Sequence, residues 1–374
     1  MKLSRAIKHI FLLGGFLSPL VVMSDDVKED SGTSKNRKHL KVKKVERVAR
    51  ITGTPVDGEN LLSSNNTTTM YDVGGTDLGI VWEMNQGKYG IFLGDTFGKG
   101  FIPDQNDPAD FGDNWRCNVL AFSNDCNLED GLSIDSMASD ENDNARELIP
   151  GGKDKSGNGD WTSIPTAAIR ANNKDYVHYF NMRNWTGWIT NYSGLYKSED
   201  DGKTWGKCTT VHFTSDSNFG QAGYYKKDGY VYMVGTETGR HSNPRLARFN
   251  EKDIENQSLY EYWNKDHNEW IRGDESQATN LFEDTVGELS IAYHNKYKCW
   301  IITYFCAARY NISIRYAEEL TGQWSKPQIL ATGEEYPQLY GSYIHPVSLD
   351  GDDLYFLMSM WRPYNVFLMR AELE

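Results

Sequence analysis

Five groups of strand-like segments recur along this chain, and a repeat of this kind restricts the fold more than any other feature of the sequence. Each group has a first segment, a turn rich in Asn, Asp, Lys or Gly, and two further segments rich in aromatic and β-branched residues. The groups are spaced by roughly 55 to 90 residues, which predicts an all-β fold, a five-bladed β-propeller. A β-sandwich is the alternative. The first segments begin at Asp77, Pro165, Gln221, Glu288 and His345.

The predicted propeller occupies residues 45–374, and two shorter segments precede it. Residues 1–24 are typical of a secretory signal peptide, with basic residues before a short apolar run. A retained membrane anchor is the alternative. Residues 25–44 are polar and charged, which predicts a linker. A strand near Val45–Ile51 would close the ring by pairing with the last blade, and an insertion at 126–159 lengthens the first group.

The charge of the chain disfavours several classes of partner. Lys and Arg number 39 against 52 Asp and Glu, which leaves a formal net charge of −13. A negative surface repels nucleic acid, anionic lipid and phosphorylated substrates. The Cys and His residues lack the spacing of a zinc site, so we expect no metal and no cofactor. We expect a secreted monomer that binds a neutral polysaccharide, and neither nucleic acid nor membrane once the signal peptide is removed.

One local motif predicts a particular turn. The residues from Ser198 to Trp205 match the Asp-box pattern S-x-D-x-G-x-T-W. In such a turn the side chains of Ser198 and Asp200 bind the hairpin backbone, Gly202 takes a positive φ, and the Trp packs beneath. This motif is structural, and it is found in sialidases and in other glycan-processing propellers.

Two aspartates of the first group are predicted to meet at one end of its hairpin. If the strands pair regularly from the turn, Asp77 lies opposite residue 96 and Asp95 opposite residue 78, with Cβ atoms about 5–7 Å apart. Two unit charges at about 5 Å repel by roughly 3 kcal/mol, which keeps one carboxyl group protonated while the other is ionised. Glycoside hydrolysis requires a pair in those two states. A turn-capping Asp95 and a structural cation at Asp77 are the alternatives.

Further candidates lie near predicted strand ends, because the first strands of a propeller surround its central channel. Glu288 aligns with Asp77 and is a third catalytic candidate, or a residue that orients the substrate. His345 is a candidate hydrogen-bond donor or a channel-filling residue. Aromatic rings stack on sugars, and amide or guanidinium groups bond their hydroxyls. The substrate-binding candidates are Trp115, Arg116, Asn118, Gln221, Arg240, His345, Trp361, Tyr364 and Asn365.

Several motifs occur in an order that resembles a known family. They are GGTDLGI, GDTF, WRCNVLAFS, IPTAA, VYMVGTETGR, YEYW, GELSIAY, YGSYIHP and YNVFLMR, together with the Asp box. Over residues 70–373 the chain is similar to domain-of-unknown-function family 4185. That family looks like glycoside hydrolase family 183, whose members are five-bladed propellers and endo-acting D-arabinofuranases. The resemblance implies that Asp77 and Asp95 are the catalytic carboxylates. Cys117 stands where the resemblance leads us to expect Ser.

We therefore expect a secreted endo-glycosidase that cuts the α-linked D-arabinan of arabinogalactan and lipoarabinomannan. Asp77 and Asp95 would be the acid/base or nucleophile pair, with Glu288 and His345 in support. The alternatives are a non-catalytic glycan-binding propeller and a glycosidase for another furanose or neutral polysaccharide. The sequence leaves open whether the reaction retains or inverts the anomeric configuration, because the expected separation of the two carboxyl groups spans both cases.

Overall fold

The computed structural model describes residues 40–85, 87–102 and 112–374. The predicted signal peptide and most of the predicted linker lie outside these ranges. In the described part, strands dominate, and helical structure is limited to α1 (Thr67–Tyr71) and four short 3₁₀ helices. None of the described helices is both long and apolar enough to cross a membrane. The 3₁₀ helices are Glu251–Asp253, Gln257–Leu259, Glu275–Gln277 and Pro346–Asp350.

The described strands form five antiparallel sheets, and this arrangement confirms the all-β prediction. The chain opens with β1 (Val42–Arg50) and continues into the first sheet, β2 (Leu78–Asn85), β3 (Lys88–Leu93), β4 (Val119–Ser123) and β5 (Ser136–Met137). The second sheet holds β6 (Thr162–Ala171), β7 (Lys174–Asn184), β8 (Ile189–Ser198) and β9 (Gly206–Thr214). The third holds β10 (Gln221–Lys227), β11 (Tyr230–Thr236), β12 (Arg245–Asn250), β13 (Glu261–Asn264) and β14 (Glu269–Arg272).

The last two sheets complete the described chain. The fourth holds β15 (Val286–His294), β16 (Cys299–Cys306), β17 (Asn311–Ala317) and β18 (Gln328–Thr332). The fifth holds β19 (Leu339–Ile344), β20 (Asp353–Met360), β21 (Asn365–Leu373) and, at its edge, β1.

The first strands of the five sheets surround a common axis. Each of β2, β6, β10, β15 and β19 contacts the next, and β19 contacts β2 again. The second halves of all five strands also line a single cavity of about 510 Å³, with side chains such as Val81, Ile169 and Ile291 on its walls. Alternate residues of these strands point toward the axis, so one end of the strands can present a ring of side chains from five sheets.

The first and last strands of the described chain lie side by side. β1 pairs antiparallel with β21, from Val42 opposite Leu373 to Arg50 opposite Phe367. The predicted pairing of an N-terminal strand with the last sheet is confirmed, although the strand begins inside the predicted linker. Arg50 is buried, its Nε lies 2.6 Å from a carboxylate oxygen of Glu59, and its guanidinium lies 4.8 Å from the ring centre of Phe367. This charge is neutralised within the protein, as a buried ion must be.

The fifth sheet differs from the prediction, which placed its first strand at His345. That strand is β19, which ends at Ile344, and the segment after it is the 3₁₀ helix Pro346–Asp350. His345 caps this helix, because its Nδ1 accepts a hydrogen bond of 3.3 Å from the backbone N–H of Val347. Proline lacks an N–H for a strand ladder and suits the first position of a helix, which explains why the strand stops there.

The turn with the Asp-box sequence packs one sheet on another. Ser198 Oγ accepts a 2.9 Å hydrogen bond from the N–H of Gly202, and Asp200 accepts one of 2.8 Å from Thr204. Gly202 has φ +85°, and a Cβ there would lie 2.9 Å from the ring of Phe122 in the first sheet. The ring of Trp205 meets that of Trp82 edge-on at 6.4 Å. The turn thereby ties the second sheet to the first.

Candidate active site

Asp77 and Asp95 lie at the same end of the β2–β3 hairpin, but not in the predicted register. Two shifts within the ladder displace the pairing by two residues between the turn and the start of β2. The predicted pairing of Asp77 with residue 96 is therefore wrong. The backbone N–H of Gly94 binds the carbonyl oxygen of Asp77 at 3.1 Å, and Gly75 bridges Phe97 two residues further out, so Asp77 lies opposite Gly94 with Asp95 next to it. The bulges change the register without separating the two aspartates.

Asp77 lies in a site that favours its protonated form. Its Oδ2 accepts a 2.8 Å hydrogen bond from the hydroxyl of Tyr340. Its Oδ1 is buried and has no hydrogen-bond partner among the described residues. Burial raises the pKa of Asp77 to about 8, and the negative charges of Asp95 and Glu288 act in the same direction. The hydrogen bond from Tyr340 and the charge of Arg240 oppose this rise only in part.

Asp95 lies in a more polar site. Its Oδ1 accepts two hydrogen bonds, of 2.7 Å from Thr162 Oγ1 and of 2.8 Å from Trp115 Nε1. Burial raises the pKa of Asp95 to about 6, while these two hydrogen bonds hold it down and the charge of Glu147 raises it further. Near pH 7, Asp77 is therefore mostly protonated and Asp95 mostly ionised. The sequence predicted this division from mutual repulsion, whereas in the structure burial is the leading cause for both groups.

Glu288 is held in a partly buried ion pair with Arg240. Its Oε1 accepts hydrogen bonds from Arg240 Nη2 at 2.6 Å and Nε at 3.0 Å, and its Oε2 is buried without a partner in the described part of the chain. The guanidinium group lies about 5 Å from three aromatic ring centres, those of Trp188, Phe305 and Tyr340. Because Arg240 holds Oε1 through two hydrogen bonds, this geometry suits an orienting role for Glu288 better than that of a general acid.

Four of the predicted substrate-binding residues donate hydrogen bonds inside the protein, although Nε of Arg116 has no partner among the described residues. Arg116 and Asn118 each donate to two backbone carbonyl groups, and Gln221 donates to that of Gly239 at 2.7 Å. Asn365 donates to a backbone carbonyl and accepts a hydrogen bond from Arg50. Asn118 also accepts from two backbone N–H groups. These bonds satisfy buried polar groups and hold loops in place, which leaves Asn118 and Asn365 out of the candidate site.

The predicted position of His345 at the same end as Asp77 is wrong. Tyr340, at the start of β19, reaches Asp77, whereas His345 follows the other end of that strand. The His345 ring packs 4.6 Å from the ring of Tyr89, which lies next to the turn of the first hairpin, roughly 20 Å from Asp77 along the strand. Burial lowers the pKa of His345 to about 3, so it stays neutral. The 510 Å³ cavity lies at this opposite end as well.

Aromatic rings line one side of the aspartate pair. Trp115 is half-buried and carries the Nζ of Lys155 4.6 Å from its ring centre. Tyr364 is buried, and its pKa is raised well above the ordinary value by burial and by the charges of the two aspartates. The half-buried ring of Trp361 meets that of Tyr364 edge-on at 5.4 Å. Trp115 and Tyr364 are thus near the pair, and Trp361 lies against Tyr364.

Three residues of this site were missed by the sequence analysis: Tyr340, Thr162 and Trp188. Tyr340 was missed because the fifth strand was placed too late. Aligning YGSYI instead of HPVSLD with the other first segments would have put it at the correct end. Thr162 precedes the predicted second segment by three residues, and no pattern in the sequence marks Trp188.

The described residues offer no evident metal site. Across 40–85, 87–102 and 112–374, no three His, Cys, Asp or Glu side chains converge as ligands of a metal ion. All five cysteines are free thiols, and Cys126 is exposed while the others are buried. Burial raises the pKa of Cys117 to about 12, so this thiol beside Asp95 is not a nucleophile at neutral pH.

Comparison with known proteins identifies a family that matches most of this chain and solved structures that share its fold. The family described as "Domain of unknown function (DUF4185)" matches residues 62–370. A curated relative, Notoamide biosynthesis cluster protein J of Aspergillus sp. (strain MF297-2), is 27% identical over 310 residues, which cover 78% of this chain and 80% of the relative.

Two solved structures share the fold at 13% sequence identity. A proposed hydrolase from Bacteroides ovatus ATCC 8483 matches with a TM-score of 0.56, over 81% of this chain and 87% of its own. The exo-β-1,3-galactanase of Phanerochaete chrysosporium matches with a TM-score of 0.51, over 87% of this chain and 64% of its own. At this level of identity the likeness establishes a common fold only.

Proposed function

The chain belongs to the DUF4185 family, and we propose that it is a secreted glycoside hydrolase that cuts α-linked D-arabinan at internal bonds. One observation carries the proposal: two carboxyl groups at one end of a hairpin, close enough for the charge of Asp95 to raise the pKa of Asp77, with pKa values of about 8 and about 6. Retaining and inverting glycosidases both use one protonated carboxyl group and one ionised carboxylate at neutral pH. The named activity of the fungal galactanase with this fold supports glycosidase chemistry, and the motif resemblance described above supports D-arabinan.

The proposed architecture is a five-bladed propeller in which each sheet is a blade and β1 closes the ring. The cyclic contacts of the first strands and the pairing of β1 with β21 support it. We further propose that residues 1–24 direct export and that residues 45–374 act as one domain and as a monomer. The proposed substrate site is the end of the first strands where Asp77 lies.

In the proposed mechanism, Asp77 protonates the oxygen of the leaving sugar, and Asp95 acts as the base or the nucleophile. The Arg240–Glu288 pair at the same end binds sugar hydroxyls, since the second carboxylate oxygen of Glu288 still lacks a partner among the described residues. Half-buried aromatic rings such as Trp115 and Trp361 stack on the sugar faces. Each carboxyl group has the protonation state that its step needs, so neither must first exchange a proton with water.

The test is incubation of the purified protein with arabinogalactan and with purified D-arabinan, followed by chromatography of the released oligosaccharides. Asp77→Asn and Asp95→Asn should each lower the rate by about 10² to 10⁴-fold, because each removes a proton-transfer group. Asp228→Asn is the matched control and should keep full activity, because Asp228 is an exposed turn residue whose one ion pair within the described ranges is with Lys227. Unchanged activity in both site variants would remove the mechanism.

Two other results would redirect the proposal. Binding of the polysaccharide without products, unaffected by neutralising the aspartates, would favour a glycan-binding protein. The name of the Aspergillus relative refers to a biosynthesis cluster, so the screen should also include L-arabinan and small aryl furanosides. Hydrolysis of one of these alone would keep the paired-carboxylate chemistry and replace the substrate.

A further inference from the structure

We propose that Tyr340 and Thr162 are positioning residues, each of which holds one member of the acid–base pair from a different sheet. Tyr340 lies on β19 of the fifth sheet and binds Asp77, whereas Thr162 lies on β6 of the second sheet and binds Asp95. This inference rests on the proposed function, because it concerns the same site. If it holds, Thr162 sets the acid limb of the pH–rate profile through Asp95, and Tyr340 sets the alkaline limb through Asp77.

Tyr340 holds Asp77 with little freedom of its own. Its side chain is buried, its hydroxyl donates to Asp77 Oδ2 at 2.8 Å, and the guanidinium of Arg240 lies 5.1 Å from its ring centre. The other oxygen of Asp77 lies against Gly94, where any Cβ would come within 2.2 Å of Oδ1. The carboxyl group is thus confined between the Tyr340 hydroxyl and a bare backbone, and Tyr364 is a further hydrogen-bonding neighbour of Asp77. A loosely held group would lose effective molarity toward the substrate.

Thr162 does the same for Asp95 by a separate route. Its buried hydroxyl donates to Asp95 Oδ1 at 2.7 Å, beside the 2.8 Å hydrogen bond from Trp115. Both donors bind the same oxygen, and in the described structure Oδ2 of Asp95 accepts no hydrogen bond. Hydrogen bonds to a carboxylate stabilise its ionised form, so these donors favour the state that a base or nucleophile requires.

The remaining charged and titratable neighbours differ between the two aspartates. The Arg240–Glu288 pair and the phenol of Tyr343 lie on the Asp77 side. Glu147, Lys155 and the thiol of Cys117 lie on the Asp95 side. Tyr364 is close to both. The direct link is the charge of Asp95 on Asp77, and Asp95 is mostly ionised while Asp77 titrates. Loss of one support should therefore move one titration and leave the second in place.

The first measurement needs no substrate. Protein labelled with ¹³C at aspartate carboxyl groups is titrated from pH 4 to 10, with Asp77 and Asp95 assigned by the signals lost in their Asn variants. Tyr340→Phe should raise the Asp77 midpoint from about 8 by roughly half to one pH unit, and Thr162→Val should raise the Asp95 midpoint from about 6 by a similar amount. Tyr355→Phe is the control, because it removes a buried hydroxyl that has no partner in the described structure.

Two outcomes would overturn the inference. One is an Asp77 midpoint that stays unchanged in Tyr340→Phe, and the other is a variant that moves both midpoints equally. With a hydrolysed substrate, Tyr340→Phe should move only the alkaline limb of kcat/KM upward and lower kcat several-fold with KM within twofold. Thr162→Val should move only the acid limb. If the variants hydrolyse substrate with both limbs unmoved, the positioning roles are refuted and the proposed glycosidase activity stands. If no substrate is hydrolysed but the midpoints shift as predicted, the positioning roles stand and the proposed activity is refuted.

Discussion

Removing Arg240 should destabilise the protein chiefly because it leaves Glu288 charged and unpaired. The side chains of the pair are 19% and 12% exposed, and two hydrogen bonds join them. Breaking a buried ion pair costs about 3–5 kcal/mol, because the remaining charge has lost its counter-ion in a site poor in water. Because this pair is slightly exposed, we expect Arg240→Met to lower the free energy of unfolding by about 3 kcal/mol. This figure includes the loss of the cation–π contacts that the guanidinium makes.

The double variant Arg240→Met/Glu288→Gln should recover most of this loss. Neither remaining side chain carries a charge, so the electrostatic cost disappears and about 1 kcal/mol remains for lost hydrogen bonds and packing. The coupling energy of the double-mutant cycle should be about 2 kcal/mol or more. Lys296→Met is the control, because its partner Asp352 and Lys296 itself are about half exposed, and such a pair contributes less than about 1 kcal/mol.

Urea unfolding followed by tryptophan fluorescence measures each free energy. An Arg240→Met variant that loses less than about 1 kcal/mol, or a double variant that loses the sum of the two single changes, would refute the argument. In either case the charge of Glu288 would be screened by water, and the channel end would be wetter than its geometry indicates.

Three further predictions concern the rest of the chain. Trp205→Ala should cost about 2–3 kcal/mol in urea unfolding by removing the ring that packs 5.1 Å from Phe92, and should leave KM unchanged; a loss below about 0.5 kcal/mol would contradict it. His345 has its pKa lowered to about 3 by burial, so an unfolded chain gains a proton from about pH 6.5 downward and stability falls between pH 6.5 and 3. His345→Phe should flatten the fall in unfolding free energy between pH 6.5 and 4, and an unchanged slope would contradict this. A maleimide should label Cys126 alone in the folded protein, with further labelling only after denaturation, because the other four thiols are buried.

Local patterns in the sequence were enough for a large part of this fold. The five groups of strands, the hairpin that carries Asp77 and Asp95 and the pairing of an early strand with the last sheet all follow from alternating apolar residues and turn residues. The hairpin brings the two aspartates together through a connection of a few residues. The motifs around them also carry the family resemblance. These features depend on neighbours in the chain, which is why the sequence predicts them.

The assembled sheets decided what the chemistry of the site can be. Two of the donors to the aspartates are Tyr340 and Thr162, which are 263 and 67 positions away from their partners. The pairing of Arg240 with Glu288, the bulges in the first hairpin and the location of His345 at the far end were equally invisible in the linear pattern. Burial, the first cause of both raised pKa values, exists only after five sheets have excluded water from their common axis. Desolvation and long-range hydrogen bonds belong to the packed molecule, and no short stretch of residues contains them.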